Sequence, residues 1–220
     1  MMRVGGLVEG VVIAAAAVGL CAVVGIAKPL PVAGVSTDRL GPDSGETVAE
    51  YTGRARAGLA EPGDSEPRWA LVSFDTYVSP GQSFSAARGE RIAQVLIRVP
   101  IERVQTRVLA IGVPGTDASV SSALDVAATE LHAGVGQWDR QAQIDAASVT
   151  RLAAGCDCVV GLVVRADPSA LAAIENEPGV RAVEALPADA RAGHFAVRAL
   201  LPDYIDVVGA LPDDGPIPAP

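Results

Sequence analysis

The chain has 220 residues, with 17 Lys and Arg against 26 Asp and Glu, for a formal net charge of −9. That length suits one globular domain with accessory segments. Arg3 and Glu9 cancel within residues 1–27, so the whole excess lies on residues 28–220, and a domain this acidic repels phosphate backbones and anionic headgroups, which argues against nucleic-acid binding.

The first element is apolar. Val11 to Ala27 carries no charged residue, and extension back to residue 4 admits only Glu9. The resulting stretch, residues 4–27, is about the length needed to cross a ~30 Å hydrocarbon core. A cleaved secretory signal is the alternative, with Gly25-Ile26-Ala27 as a small-residue cleavage site. The length favours a retained transmembrane anchor in contact with membrane lipid. Arg3 on the short side orients the N-terminus to the cytoplasm, and both readings export residues 28–220. Residues 28–45, punctuated by Pro and Gly, read as a tether.

An extracytoplasmic α+β domain is expected over residues 46–203. Asp43 and Glu46 have the spacing of a capping box, ahead of Val48, Tyr51, Ala55 and Leu59 on one helix face. From Trp69 the pattern becomes that of a strand, with Ala70, Val72, Phe74 and Val78 on one side. Ser79-Pro80 opens a short helix, Gly89 stops it, and Ile92–Val99 is a second β-rich run. Val104–Val113 reads as a further strand or an extended connection. A helical hairpin comes next: Asp117 starts a helix with Val120, Leu124, Ala127 and Leu131 on one face, and a second spans Asp139–Ala154. The apolar run Cys158–Val164 suits a strand covered on both faces. Asp167-Pro168 opens a short helix with Leu171 and Ile174 inward, Pro178-Gly179 turns the chain into Val180–Leu186, and Phe195–Leu201 alternates like a last strand. Residues 204–220 are a Pro-rich tail.

Residues 69–99 and 158–186 thus repeat one pattern: strand, X-Pro, short helix, turn, strand. Two such units suggest a ferredoxin-like split β-α-β domain interrupted by the hairpin, with both short helices on one face of the sheet. Val72, Phe74, Val95, Val160, Leu162, Val164 and Val183 are its expected core.

Few residues suggest chemistry. Cys156 and Cys158 form a C-x-C pair in an exported domain. They could be buried small side chains or bridge two chains, bond to each other, or act in redox exchange. On a regular strand their Cα atoms would stand roughly 6.5 Å apart, near the upper limit for a disulfide. Asp157 between them opposes thiolate formation. His132 sits at a helix C-terminus, where its charge suits the dipole, and His194 precedes a strand. Asp203/Asp206 and Asp213/Asp214 read as solvating acidic pairs. Neither a cofactor nor a metal is implied by any motif.

The stretch Cys158-Val159-Val160-Gly161-Leu162-Val163-Val164-Arg165-Ala166, followed by Pro178-Gly179-Val180-Arg181-Ala182-Val183, resembles a group of uncharacterised, signal-anchored actinobacterial extracytoplasmic proteins, as does Trp69–Phe74. That resemblance implies a location and no activity. The Pro-Gly-Val-x-x-Val phrase is also similar to the propeptide and inhibitor domains of subtilisin-like proteases. The expectation is a non-catalytic, membrane-anchored interaction module of the cell envelope with an envelope protein as partner. A protease-inhibitor-like domain, or an envelope hydrolase or thiol redox enzyme, are the alternatives.

Overall fold

The computed structural model describes residues 38–60, 65–133 and 139–219. The anchor and the tether up to residue 37 lie outside them. Among the described residues no helix is long and apolar enough to cross a membrane.

The elements run β1 (Arg39–Leu40), α1 (Val48–Ala60), β2 (Arg68–Val78), α2 (Pro80–Ala86), β3 (Arg91–Arg98), β4 (Val108–Gly112), α3 (Asp117–Ser121), α4 (Ala123–Ala133), α5 (Arg140–Ala153), β5 (Val159–Ala166), α6 (Pro168–Glu175), β6 (Val180–Ala185) and β7 (Ala196–Val197). This is an α+β fold on a five-stranded sheet of order β4-β3-β5-β2-β6, antiparallel at every pairing. The two β-α-β units share this sheet. β5 lies between β2 and β3, and β2 lies between β5 and β6, so each unit steps over one strand of the other.

Local signals explain the starts of the helices. Ser79 accepts from the Gln82 amide and Gln82 accepts in return, a complete capping box ahead of Pro80. Asp167 and Asp139 cap α6 and α5 in the same position. At α1 the box lies later than the sequence suggests. Thr47 Oγ1 accepts from Glu50 N at 3.1 Å and Glu50 Oε2 accepts from Thr47 N at 3.0 Å, while Glu46 accepts from Asp43 N at 2.8 Å just upstream.

Both faces of the sheet are covered. On one, Val72, Phe74, Val95, Leu162, Val164 and Val183 pack with Ala86 of α2, Leu171 and Ile174 of α6, and the hairpin residues Val120, Leu124, Ala127, Leu131, Ile144 and Leu152. Both short crossing helices therefore lie on the same face. On the other, Trp69, Leu71, Leu96 and Val163 pack with Val48 and Tyr51 of α1 and with Ala199, Leu200, Leu201, Tyr204 and Val208.

Val160 is buried, but on this second face rather than with Leu162 and Val164. The reason is a bulge: Leu96 pairs with Gly161 and Ile97 with Val159. Val160 is the extra residue, and a one-residue insertion reverses which side a side chain faces.

Two expectations for the ends change. Phe195–Leu201 is not a strand of the sheet. Only Ala196–Val197 pairs, in parallel with Arg39–Leu40, and residues 199–201 are buried consecutively as irregular chain over the sheet. The described end of the tether belongs to the domain, since Leu40 is fully buried and Gly45 N donates to Val208 O at 2.8 Å.

Cys156 and Cys158 are joined in a disulfide with Cα atoms 5.3 Å apart. They lie not on a strand but in the bend between α5 and β5, which draws them closer than strand geometry would. Closing so short a loop constrains the unfolded chain by only about 1.5 kcal/mol on the chain-entropy model. A Cys156→Ser/Cys158→Ser variant is therefore expected to melt ~3–6 °C below the parent; an unchanged melt would show that the bond adds nothing to the stability of the bend.

Candidate functional site

One set of polar side chains converges where β3 ends. Arg98 follows three apolar residues on β3 and is 4 % exposed. An arginine so buried needs partners for its charge and its N–H groups. Its guanidinium donates to the Tyr77 hydroxyl, to Asp203 Oδ2 at 2.9 Å and to Val104 O at 3.4 Å. The Tyr77 hydroxyl also donates to Asp203 Oδ2, at 2.5 Å. Burial first, and then the Asp203 carboxylate, push the phenol well above its ordinary range, so Tyr77 stays protonated and donates. Asp203 is thus no solvating acid; it ties the C-terminal segment to the end of β3.

This triad borders a groove of about 520 Å³ lined by Pro100, Ile101, Val104, Ile205 and Leu211 among others. On its rim Ile205 is 80 % exposed, beside the charged Glu102 and Arg103.

Beside the groove, residues 211–217 form a strap against the 101–105 segment. Gly215 N donates to Arg103 O at 2.8 Å, Gln105 N donates to Asp213 Oδ1 at 3.0 Å, and the Gln105 side-chain amide donates to Leu211 O. Arg103 forks onto Asp214 at 2.7 and 2.5 Å, and Arg140 of α5 reaches Asp213 Oδ1 at 3.1 Å. The Arg103 guanidinium holds the Asp214 carboxyl below the ordinary carboxylate range. Arg140 and the Gln105 amide do the same for Asp213. Ile217 packs against the helix-side core, and a second cavity of about 360 Å³ opens between Arg103, Arg151 and Pro216–Pro218. Asp213 and Asp214 therefore hold the tail in place rather than merely solvating it.

A separate ionic cluster fixes α1 to β6. Glu184 is 7 % exposed and accepts from Gly41 N at 2.5 Å, Tyr51 Oη at 3.2 Å and Arg54 Nη1 at 2.5 Å. Arg54 also binds Glu46 at 3.2 Å and lies over the Tyr51 ring. Burial, and next the Glu184 carboxylate, raise the Tyr51 hydroxyl far above its usual range. Every polar atom of this cluster is committed to joining elements.

His132 and His194 are both exposed. Among the described residues no group of three or more His, Cys, Asp or Glu is placed to hold a metal ion. The structure thus brings together none of the residues that the sequence marks for chemistry except the cysteine pair. What it assembles instead, Tyr77, Arg98, Asp203 and the strap, had only one local sign: an arginine ending the apolar run Val95-Leu96-Ile97.

No protein-family model matches the chain, and none of the curated proteins or solved structures is significantly similar to it.

Proposed function

We propose that this chain is a non-catalytic protein-interaction module of the cell envelope, anchored in the membrane by residues 4–27 with its domain on the extracytoplasmic side. On this reading residues 46–203 are a ferredoxin-like domain. The strand order β3-β5-β2-β6, with both crossing helices on one face, supports it; β4 and the hairpin α3–α5 are the insertion between the two units.

The observation that carries the functional reading is the groove beside Arg98, with its exposed Ile205. Its buried polar groups are bonded to one another, and the exposed Ile205 stands with apolar neighbours inside a rim that carries Glu102 and Arg103, the apolar centre and charged edge of a docking surface. Docking through the sheet, as a protease-inhibitor-like domain would require, needs a face that residues 199–208 already cover.

The test is site-specific photo-crosslinking in intact producing cells, with a photo-reactive residue at position 205. A discrete protein adduct is expected at Ile205 and none at Val126, an equally apolar position 44 % exposed on α4. Adducts at neither position, or at both alike, would refute the assignment of the groove.

A further inference from the structure

The strap is held as a bound peptide would be. Its contacts with the 101–105 segment combine a main-chain hydrogen bond from Gly215 N to Arg103 O and a bond from Gln105 N to the Asp213 carboxylate with two arginine–aspartate pairs. Arg140 adds bonds to the carbonyls of Asp213 and Gly215, at 3.0 and 3.3 Å. Main-chain bonds supply general affinity for irregular chain, and the arginine pairs select acidic side chains.

The fit also demands a glycine. A Cβ at Gly215 would lie 2.4 Å from Glu102 O and 2.9 Å from Arg103 O, closer than carbon and backbone oxygen can approach. Glycine is the residue that lets the strap lie flat against this backbone. In a chain of net charge −9, three arginines, Arg103, Arg140 and Arg151, line the path of the strap, against one carboxylate of the receiving segment, Glu102.

We propose that the 101–105 segment with Arg140 is a recognition site for an acidic, glycine-containing extended segment of the partner, Asp-Asp-Gly-Pro in character, which residues 211–217 occupy as an intramolecular competitor. This rests on the interaction reading above. The strap is suited to displacement. Its ion pairs are solvent-exposed and individually weak, and what holds it is chiefly the high effective concentration of a tethered ligand. Partner binding at Ile205 and strap release would then be linked, because Leu211 lines the same groove as Ile205.

The experiment uses the full chain and a fluorescein-labelled peptide of residues 211–220 as probe. Gly215→Val dislodges the strap while leaving the receiving surface intact, so this variant is expected to bind the peptide about tenfold or more tightly than the parent. Adding Arg103→Glu should abolish that binding. Should Gly215→Val fail to melt cooperatively, Asp213→Asn/Asp214→Asn loosens the strap by surface changes alone and carries the same expectation. Equal binding by parent and loosened variants, or binding insensitive to Arg103→Glu, overturns the proposal. So does a loosened variant that dimerises by exchanging straps, since the occupant would then be a second copy. If the peptide fails to bind while the Ile205 adducts persist, the peptide proposal alone is lost; loss of those adducts as well removes the interaction reading.

Discussion

Replacing Leu162 by aspartate is expected to abolish cooperative unfolding of the domain. Leu162 is fully buried at the centre of β5, opposite Val72 on one side and Val95 on the other, and it belongs to the core shared by the sheet and the hairpin. The change deletes a well-packed side chain, which costs about 2–5 kcal/mol in comparable cores. It also places a carboxyl where no described donor awaits it. An unpaired buried charge adds several kcal/mol, whether as desolvation or as forced protonation. The sum is comparable to the roughly 5–15 kcal/mol that holds a typical domain together. Circular dichroism with thermal denaturation gives the answer. A sigmoidal melt within a few degrees of the parent would show that β5 is not the centre of the sheet.

Glu184→Leu should be the next most damaging of these changes, by about 3 kcal/mol. The salt bridge is not the main reason: the Arg54 side chain is about half exposed, so water screens it and Glu46 remains as its partner. The loss comes from the other two donors. Gly41 N would be left buried without an acceptor and the Tyr51 hydroxyl with only the Ser73 hydroxyl beside it, and an orphaned group of this kind costs about 1–3 kcal/mol. Glu184→Gln keeps an acceptor for both and should recover at least half of the deficit. Denaturant titration of the three proteins decides the matter. Equal losses for Leu and Gln would mean that the charge, not the hydrogen bonding, is what the site requires.

The fold was legible wherever burial imposes a period. β2, β3, β5 and β6 follow from their apolar runs, and α2 and α6 follow from Ser79-Pro80 and Asp167-Pro168, because a cap and a proline mark a helix start through local bonds alone. The hairpin followed from Val120, Leu124, Ala127 and Leu131. α5 was less regular because Asp145 and Ser148 are buried on it, the first beside Gln141 at 2.7 Å and Arg107 at 3.3 Å; a partner that far along the chain leaves no trace in a local pattern. Phe195–Leu201 misled for a related reason. An irregular segment laid over a sheet can bury neighbouring residues in succession, and its sequence then imitates a strand. The capping box was displaced because Asp43/Glu46 and Thr47/Glu50 both have the right spacing, and the helix starts at Val48, directly after Thr47. The groove was legible only in Arg98, the arginine that ends an apolar run. Tyr77 and Asp203 are far from it in sequence, and each alone looks like an ordinary surface residue.

The pairing of Arg39 with Ala196 and of Leu40 with Val197 bears on the order in which the domain can fold. The central ladder already joins distant parts of the chain, Val72 with Leu162 and Val72 with Val183, so its contacts are predominantly non-local and its closure is slow. The first and last strands then seal one another. A nascent chain emerging N-terminus first has β2 and β3 long before it has β5, the strand that lies between them, and it cannot bury Leu40 until residue 197 is free. The polypeptide is therefore kept open through nearly the whole of its synthesis, and it closes in one late step once residue 197 is free to pair.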